Sequence, residues 1–325
     1  MDKTIKRIGV LTSGGDAPGM NAAIRAVIRA ASRENIECIG IKRGYNGLIQ
    51  GDIKPLKFED SGDLSRKGGT FLYTARSEEF NTAEGVQKAF NNCKMFGLDG
   101  VIAIGGDGTF RGLRDLGNAG VPVVGIPATI DNDIACTDYT LGFDTACNTA
   151  LDAIDRLRDT MKSHERCSVV EVMGRRAGNM ALYVGFGCGA TSVLIPEMKG
   201  NFDVDVIEPI RRARLNGRTH FTIVVAEGYG SANDVAERIQ TTLALDARVT
   251  ILGHIQRGGS PSAKDRTEGA YMGYYAVKTL LEGRRNRLIC NKKGEYTDID
   301  ISEGLAMKKE PLETEYDILK ILSGI

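Results

Sequence analysis

The chain has 325 residues, enough for about two domains of ordinary size, and 42% of them are hydrophobic, which supplies a core for each. Its 42 basic and 42 acidic residues cancel without long runs of one sign, which argues against non-specific binding to nucleic acids or membrane surfaces. Seven cysteines, an odd number without a CxxC spacing, argue against a disulfide framework and against a zinc site. The sequence shows no export signal and no apolar run of transmembrane length, so we expect a cytoplasmic globular protein with buried thiols.

Strand-like and helix-like segments alternate along the first half of the chain. Residues 7–13 are strand-like and end in the glycine turn SGGDAPG, after which Pro18 fits the start of a helix. A second strand is predicted at 36–42, followed by a loop, RGYNGL, and a polar stretch that ends at Arg76. A helix over 82–96 precedes strands over 101–104 and 122–126. This alternation predicts an α/β fold with a doubly wound, parallel sheet and helices on both faces.

The second half repeats this scheme. A helix is predicted at 144–163, then a strand at 167–172 with a glycine turn and a small-residue helix after it. A strand at 221–226 ends at Glu227, and a further strand follows Arg248. A helix over 264–283, one strand-like piece and a helix near 316–322 complete the chain. The repetition is weak, and it predicts two similar doubly wound α/β domains with largely parallel sheets.

The segment GVIAIGGDGT has the features of a site for a metal ion and phosphate. Its β-branched run is typical of a buried parallel strand, which ends at a glycine turn holding Asp107 between Gly106 and Gly108. Thr109 is placed to start a helix, whose N-terminal N–H groups favour anions, while a carboxylate suits Mg²⁺. The alternative is a simple turn in which the glycines supply positive φ and Asp107 only caps the helix.

The segment PATIDND places two carboxylates just past a strand. Asp131 and Asp133 face the same way if the segment is extended, and ligands of such sheets bind at the carboxyl ends of the strands. One carboxylate suits Mg²⁺ and the other suits the proton of a hydroxyl group, which is the division that phosphoryl transfer requires. The alternative is a solvated turn with Asn132 at its corner.

The segment HIQRGGSP brings His254, Arg257 and two glycines into one loop. A histidine alone is more often a packing residue. Beside Arg257 and Arg248, a contact to phosphate is at least as well supported.

Nine segments, in order and spacing, resemble bacterial ATP-dependent 6-phosphofructokinases along nearly the whole chain. They are TSGGDAPGMNAAIR, GGTFLYTAR, IGGDGT, TIDND, GFDTA, SHER, VMGRRAG, VAEG and LGHIQRGGSP. The resemblance implies transfer of the γ-phosphoryl group of ATP to the 1-hydroxyl of fructose 6-phosphate, with Mg²⁺, in a homotetramer with active and effector sites at subunit interfaces. A kinase of another acceptor leaves HIQRGG and SHER unexplained, and a non-catalytic nucleotide sensor leaves TIDND unexplained.

The resemblance also implies roles for individual residues. Asp131 is similar to the general base, Asp107 to the Mg²⁺ carboxylate and Asp133 to its neighbour. The residues similar to those that position or neutralise the transferring group are Thr129, Arg76 and Arg175. The other residues similar to ATP-site residues are Gly15, Ser77, Gly106, Gly108 and Thr109. The residues similar to sugar-phosphate ligands are Met173, Gly174, Glu227, His254 and Arg257, with Arg166 and Arg248 from a neighbouring subunit.

Two further expectations follow from the resemblance. The larger, ATP-binding domain would comprise residues 1–142 and about 256–305, and the smaller, sugar-phosphate-binding domain residues 143–255 and about 306–325. Gly108 and Ala128 are small where pyrophosphate-using relatives carry an aspartate and a lysine, which indicates ATP as the donor.

A cluster of arginines resembles the effector site of this family, which lies between subunits. The corresponding residues are Arg25, Arg29, Arg158, Gly189 and Arg218. The alternative for Arg25 and Arg29, one helical turn apart, is a solvated helix face. Two positions depart from the family pattern, because Thr191 stands where a glutamate is common and Asn216 where an arginine is common.

These departures predict a weak or altered response to ADP and phosphoenolpyruvate. Loss of the carboxylate removes a ligand for the effector's metal ion, and loss of the arginine weakens anion binding by roughly 1–3 kcal/mol, the size of a whole allosteric coupling. The measurement is a fructose 6-phosphate saturation curve with and without millimolar phosphoenolpyruvate. A large sigmoidal shift that ADP reverses would contradict the prediction.

Overall fold

The computed structural model describes residues 5–310 and 312–323, which form two compact units. The first unit contains the described residues up to Ile130, Ile134–Thr145 and Arg257–Lys309. The second contains Asp131–Asp133, Ala146–Gln256 and the described residues from Glu310 onward. These limits differ from the expected ones mainly in assigning Asp131–Asp133 to the second unit and residues 143–145 to the first.

The described residues form eleven strands and eleven α-helices. The strands are β1 (Arg7–Thr12), β2 (Glu37–Ile41), β3 (Ile53–Leu56), β4 (Gly100–Gly105), β5 (Val123–Pro127), β6 (Cys167–Val172), β7 (Ser192–Leu194), β8 (Phe221–Ala226), β9 (Ala247–Ile251), β10 (Arg287–Lys292) and β11 (Glu295–Asp300). The helices are α1 (Met20–Arg33), α2 (Gly44–Gln50), α3 (Ala83–Met95), α4 (Asp107–Asn118), α5 (Phe143–His164), α6 (Asn179–Cys188), α7 (Glu208–Leu215), α8 (Ala232–Leu243), α9 (Ala263–Leu281), α10 (Ile301–Ala306) and α11 (Glu313–Ser323). None of the described helices is long and apolar enough to cross a membrane.

The first unit is built on a seven-stranded sheet in the order β11-β10-β5-β4-β1-β2-β3. The five inner strands are parallel, and β3 and β11 are antiparallel to their neighbours at the two edges. Strand β4 is buried at all six positions, as a β-branched run in the middle of a parallel sheet requires. The α/β fold predicted from the alternation is therefore confirmed.

The second unit is built on a four-stranded sheet, β7-β8-β6-β9, in which every pairing is parallel. Its core joins Phe221, Ile223 and Val225 of β8 to apolar residues of α8, including Ile239. The two units thus share parallel α/β architecture but differ in strand number. All seven cysteines of the chain lie in the described residues as buried thiols, as predicted.

Two local predictions were wrong. RGYNGL was predicted as a loop but forms most of α2, because Tyr45 and Leu48 are buried in the core and hold about two helical turns despite the glycines. The single strand predicted after α9 is a hairpin of β10 and β11. Its turn residues, Lys293 and Gly294, both have positive φ, which a tight hairpin turn favours.

Candidate active site

Two glycine turns lie side by side at the carboxyl edge of the seven-stranded sheet. Strands β1 and β4 are neighbours, and Thr12 pairs with Ile104 at their ends. The Ser13 N–H donates to the Ile104 carbonyl at 3.1 Å, and the Thr109 hydroxyl donates to the Ser13 carbonyl at 2.9 Å. The first turn of α4 is thereby fastened to the loop that follows β1.

Close packing explains why a glycine follows β4. A Cβ on Gly105 would lie 2.3 Å from the Thr109 hydroxyl and 2.5 Å from the Ser13 carbonyl oxygen, so a larger residue would force the turns apart. From the other side, the Tyr45 hydroxyl donates to the Thr109 carbonyl at 2.6 Å, and its ring stacks on Phe80. Burial raises the pKa of Tyr45 well above its ordinary value, which keeps this hydroxyl protonated as a donor.

Asp107 occupies the first helical position of α4, and Gly106, in extended conformation, is the N-cap. Asp107 is therefore not the N-cap residue that the alternative interpretation required. The helix begins two residues before Thr109, the predicted start. Within helix α4 the N–H groups of residues 107–109 have no hydrogen-bond acceptor, and a Cβ on Gly108 would meet no atom within 4 Å. Asp107 is half-buried and Gly108 is exposed, so a carboxylate and unpaired helix N–H groups belong to the same solvent-accessible turn.

The polar segment before α3 lies over the first glycine turn. The Thr12 hydroxyl donates to the Tyr73 carbonyl at 2.8 Å, and the Thr74 hydroxyl donates to the Gly14 carbonyl at 2.7 Å. Arg76 follows two residues later with an exposed side chain, and its carbonyl accepts from Asn46 of α2 at 3.0 Å. Ser77 accepts from the Phe80 N–H at 3.3 Å. Helix α2, missed in the sequence, thus holds the backbone of the predicted site residue Arg76.

Arg257 lies against the turn that follows β1. A Cβ on Gly15 would lie 2.7 Å from Nη1 of Arg257, and the same nitrogen donates to the Asp16 carbonyl at 3.4 Å. The structure therefore brings Arg257, predicted to bind a sugar phosphate, next to Gly15, predicted to bind nucleotide phosphates.

The TIDND loop places Asp131 in a buried position, 6% exposed, so the alternative of a solvated turn is wrong for this residue. Asn132 forms the corner of the loop with a positive φ of 47°. The side-chain amide of Asn179, the first residue of α6, donates to the carbonyls of Asp131 at 3.3 Å and of Asn132 at 3.0 Å. Asn179 was not predicted, and its place directly after the VMGRRAG segment is the only signal the sequence offers.

At the carboxyl edge of the smaller sheet, Glu227 and Arg175 meet. Oε1 of Glu227 accepts from the Arg175 N–H at 2.5 Å, and Arg175 has a positive φ of 58° with an exposed side chain. The Met173 N–H donates to the side chain of Gln256 at 2.9 Å. Gln256 is fully buried and was missed, although it lies between the two predicted residues of HIQR. His254 is exposed in the same turn.

Arg166 and Arg248 lie at the opposite, amino edge of this sheet. Both guanidinium groups pair with Asp246, at 2.6 Å from Arg166 and 3.0 Å from Arg248. The pairing of Cys167 with Ala247 in β6 and β9 brings them together. Asp246 was not predicted, because nothing in its local sequence marks it as the partner of two arginines.

The predicted effector residues fall into two groups. In the first unit, Arg29 donates to the Ser61 hydroxyl at 3.0 Å and stacks on Phe58, and burial together with Arg29 lowers the pKa of Arg25. Neither arginine is on a fully solvated face. In the second unit, Arg158 donates to the Cys188 carbonyl, beside Gly189, which has a positive φ of 59°.

Basic side chains surround His220 in the second unit. Burial and then Arg158, Lys162 and Arg218 lower the pKa of His220, which records the local excess of positive charge. Thr191 is buried and accepts from the Thr222 N–H at 3.3 Å, so its hydroxyl is engaged inside the fold.

Comparison with known proteins identifies what this arrangement resembles. A family model described as phosphofructokinase matches residues 7–280. The ATP-dependent 6-phosphofructokinases of Clostridium botulinum, strain Loch Maree, and Clostridium novyi are 50% and 51% identical over 319 residues, covering 98% of this chain and 100% of each relative.

Among solved structures, phosphofructokinase from Saccharomyces cerevisiae superposes with a TM-score of 0.88 at 35% identity, over 98% of this chain and 48% of the yeast chain. A pyrophosphate-dependent phosphofructokinase from Marinobacter aquaeolei has a TM-score of 0.83 at 20% identity, over 98% of this chain and 91% of that one, and shares the fold.

Replacement of Thr109 by valine should lower the free energy of unfolding by about 1–3 kcal/mol, because the buried Ser13 carbonyl loses its hydroxyl donor. Thr109→Ser keeps the hydroxyl and is the matched control. Denaturant unfolding measures both, and an equal loss of stability in the serine variant would show that the hydrogen bond does not hold the turns.

Proposed function

This chain belongs to the phosphofructokinase family, and we propose that the carboxyl edge of the seven-stranded sheet, where Thr109 hydrogen-bonds to Ser13, binds the phosphoryl donor. The carboxyl edge of the four-stranded sheet, where Glu227 holds Arg175, binds the sugar phosphate. The reaction is ATP-dependent phosphorylation of fructose 6-phosphate, which gives fructose 1,6-bisphosphate and ADP in glycolysis. The observation that carries the assignment of edges is the pair of fastened glycine turns at the N terminus of α4.

On the donor side, backbone groups do most of the binding. The N–H groups of Gly15, Gly108 and Thr109, together with Gly106, supply oriented dipoles for the phosphates of ATP, and they need no rearrangement during reaction because the turns are already locked. Arg76 and Ser77, held over the first turn, add a cation and a hydroxyl. In a loose transition state this positioning and charge neutralisation supply most of the catalysis.

The residues present fit a magnesium ion held mainly by its nucleotide. Among residues 5–310 and 312–323, no three His, Cys, Asp or Glu side chains form a metal-binding cluster. Mg²⁺ in kinases typically takes one or two carboxylates, with phosphates and water completing the octahedron, so half-buried Asp107 suffices. Asp133 is the second carboxylate that the resemblance to the family implies for this site. When bound, the ion would neutralise charge on the β- and γ-phosphates.

Asp131 acts as the general base on the acceptor. Its carboxylate takes the proton of the sugar 1-hydroxyl as that oxygen forms a bond to the γ-phosphorus, while the bond from phosphorus to the bridging oxygen breaks and ADP leaves with the electron pair. The loop that carries it is held by Asn179. Thr129 positions the phosphoryl group, and Arg175, in a backbone conformation secured by Glu227, places its guanidinium on the transferring oxygens.

The sugar phosphate is assigned to residues at the carboxyl ends of β6, β8 and β9. Met173, Gly174 and Glu227 contact the sugar, and His254 with Arg257 contacts the 6-phosphate. Arg166 precedes β6 and Met173 follows it, so about 20 Å of strand separates them. One fructose 6-phosphate molecule is too small to touch both ends of one strand.

The two arginines held by Asp246 therefore serve the sugar phosphate of a neighbouring subunit, in a homotetramer. A second interface, lined by the effector arginines, binds anionic regulators. Location in the cytoplasm stays a prediction of the sequence.

Asp131→Asn should fold and bind both substrates, because the amide matches the carboxylate in shape, while kcat falls by about 10²–10⁴-fold through loss of the proton acceptor. Steady-state kinetics by coupled ADP release measures this, with thermal unfolding as the control for folding. Turnover close to that of the parent enzyme would reject Asp131 as the base.

The shared site predicts complementation between two inactive variants. Arg248→Ala and Asp131→Asn subunits, dissociated and reassociated together, should regain activity, because a hybrid site combines an intact Asp131 with an intact Arg248. Each variant taken alone through the same treatment is the control. If mixed oligomers form, as co-purification through a tag on one variant would reveal, and stay inactive, each chain is self-sufficient.

A further inference from the structure

Asp265 is a fully buried carboxylate in the first turn of α9. Its Oδ1 accepts from the Tyr139 hydroxyl at 2.6 Å and from the Gly142 N–H at 2.7 Å. Its Oδ2 accepts from the Thr145 N–H at 2.9 Å and from the Thr145 hydroxyl. Four donors thus converge on two oxygens, all from residues 139–145, which include the first turn of α5.

Thr145 also completes the N-terminal cap of α9. The Ser262 hydroxyl accepts from the Asp265 N–H at 3.2 Å, as an N-cap side chain should. In a capping box the third helical residue would accept the N-cap N–H in return. Here the Ser262 N–H donates to the Thr145 hydroxyl at 2.9 Å, and that hydroxyl donates to Asp265. The Thr145 hydroxyl therefore links the Ser262 N–H to the Asp265 carboxylate, in place of the direct hydrogen bond of a capping box; we call this link the Thr145 relay.

The segment held by Asp265 supports the residues assigned to phosphoryl transfer. The Leu141 N–H donates to the Pro127 carbonyl at 3.1 Å, and Leu141 bridges to Ala128. The Thr140 hydroxyl donates to the Thr129 carbonyl at 2.6 Å. A shift of residues 139–145 would therefore move Thr129 and the start of the TIDND loop.

Two further segments of the proposed active site lie close to Asp265. A Cβ on Gly19, at the start of α1, would lie 3.1 Å from the Asp265 carbonyl oxygen. Ser262 is five residues beyond Arg257, so the loop that carries this arginine ends at the relay. The backbone of Asp265 thus packs against the start of α1, while its carboxylate holds the segment that supports Thr129 and, through Thr145, the end of the Arg257 loop.

A buried carboxylate carries a desolvation cost that an apolar side chain would avoid. Burial raises the pKa of Asp265 above its ordinary value, and the hydrogen bonds from Thr145, Tyr139 and Gly142 oppose this. An asparagine offers a single acceptor oxygen and would turn an NH₂ group toward two donors, so the site is built for a carboxylate.

We propose that Asp265, through the Thr145 relay, is a positioning residue for phosphoryl transfer, which fixes Thr129 relative to the two glycine turns. The inference rests on the proposed role of Thr129 and adds a residue that contacts neither substrate.

The test compares Thr145→Val, which keeps the shape and removes the relay hydroxyl, with Thr145→Ser, which keeps the hydroxyl. Val277→Ala, in a buried position farther along α9, controls for loss of stability, and Asp265→Asn is examined if it folds. For each variant kcat and KM for ATP and fructose 6-phosphate are measured, normalised to folded enzyme, together with Tm.

Thr145→Val should lower kcat about 10- to 100-fold while KM for either substrate changes less than about threefold, because misplacement of a reacting group costs transition-state rather than ground-state binding. Thr145→Ser and Val277→Ala should stay within about threefold of the parent kcat.

Equal kcat values in Thr145→Val and Val277→Ala at similar Tm, or an equal loss in Thr145→Ser, would overturn the proposal. Failure of the proposed chemistry is distinguishable, since Asp131→Asn would then retain turnover whatever the relay variants do.

Discussion

The hydrogen bond from Thr109 to the Ser13 carbonyl is the interaction on which the proposed donor-binding edge depends. Strands β1 and β4 each end in glycines, which allow ligand phosphates to approach the backbone but lose much conformational entropy when ordered. One hydroxyl joins the two turns, and Tyr45 holds the same residue from behind. The N–H groups proposed to bind the phosphates are therefore fixed before a ligand arrives, which is the condition under which backbone dipoles stabilise a transition state effectively.

Acidic side chains play two different parts in this molecule. Glu227 accepts a backbone N–H, Asp246 pairs with two arginines, and Asp265 receives four hydrogen bonds. These three carboxylates hold neighbouring segments together, and donors from the protein itself compensate their charge. Asp107 begins α4 and Asp131 lies on the TIDND loop, where phosphoryl transfer is proposed, and their charge is assigned to a metal ion and a proton. Carboxylates thus serve both to hold the fold and to carry the proposed chemistry, and the groups around each carboxylate determine which of the two roles it has.

The sequence predicts those parts of the site whose signal is local. The β-branched run before GGDG predicts β4, which ends two residues before Asp107, because burial between neighbouring parallel strands requires that composition. Helix α2 and the hairpin after α9 were missed, since glycines and alternating polar residues conceal elements that tertiary packing stabilises. Tyr45 and Gln256 were missed for a different reason: their partners lie 64 and 83 residues away, and no spacing rule links residues that only the fold brings together.

The buried cysteines can report local unfolding of each unit. Burial raises the pKa of Cys38, Cys93 and Cys167 to about 12, so at neutral pH each is a thiol, and an alkylating reagent reacts only with the thiolate of an exposed residue. Cys38 and Cys93 belong to the first unit and Cys167 to the second. The order in which these sulfurs are labelled under native conditions therefore ranks the two units by how readily each one unfolds locally, without any introduced probe.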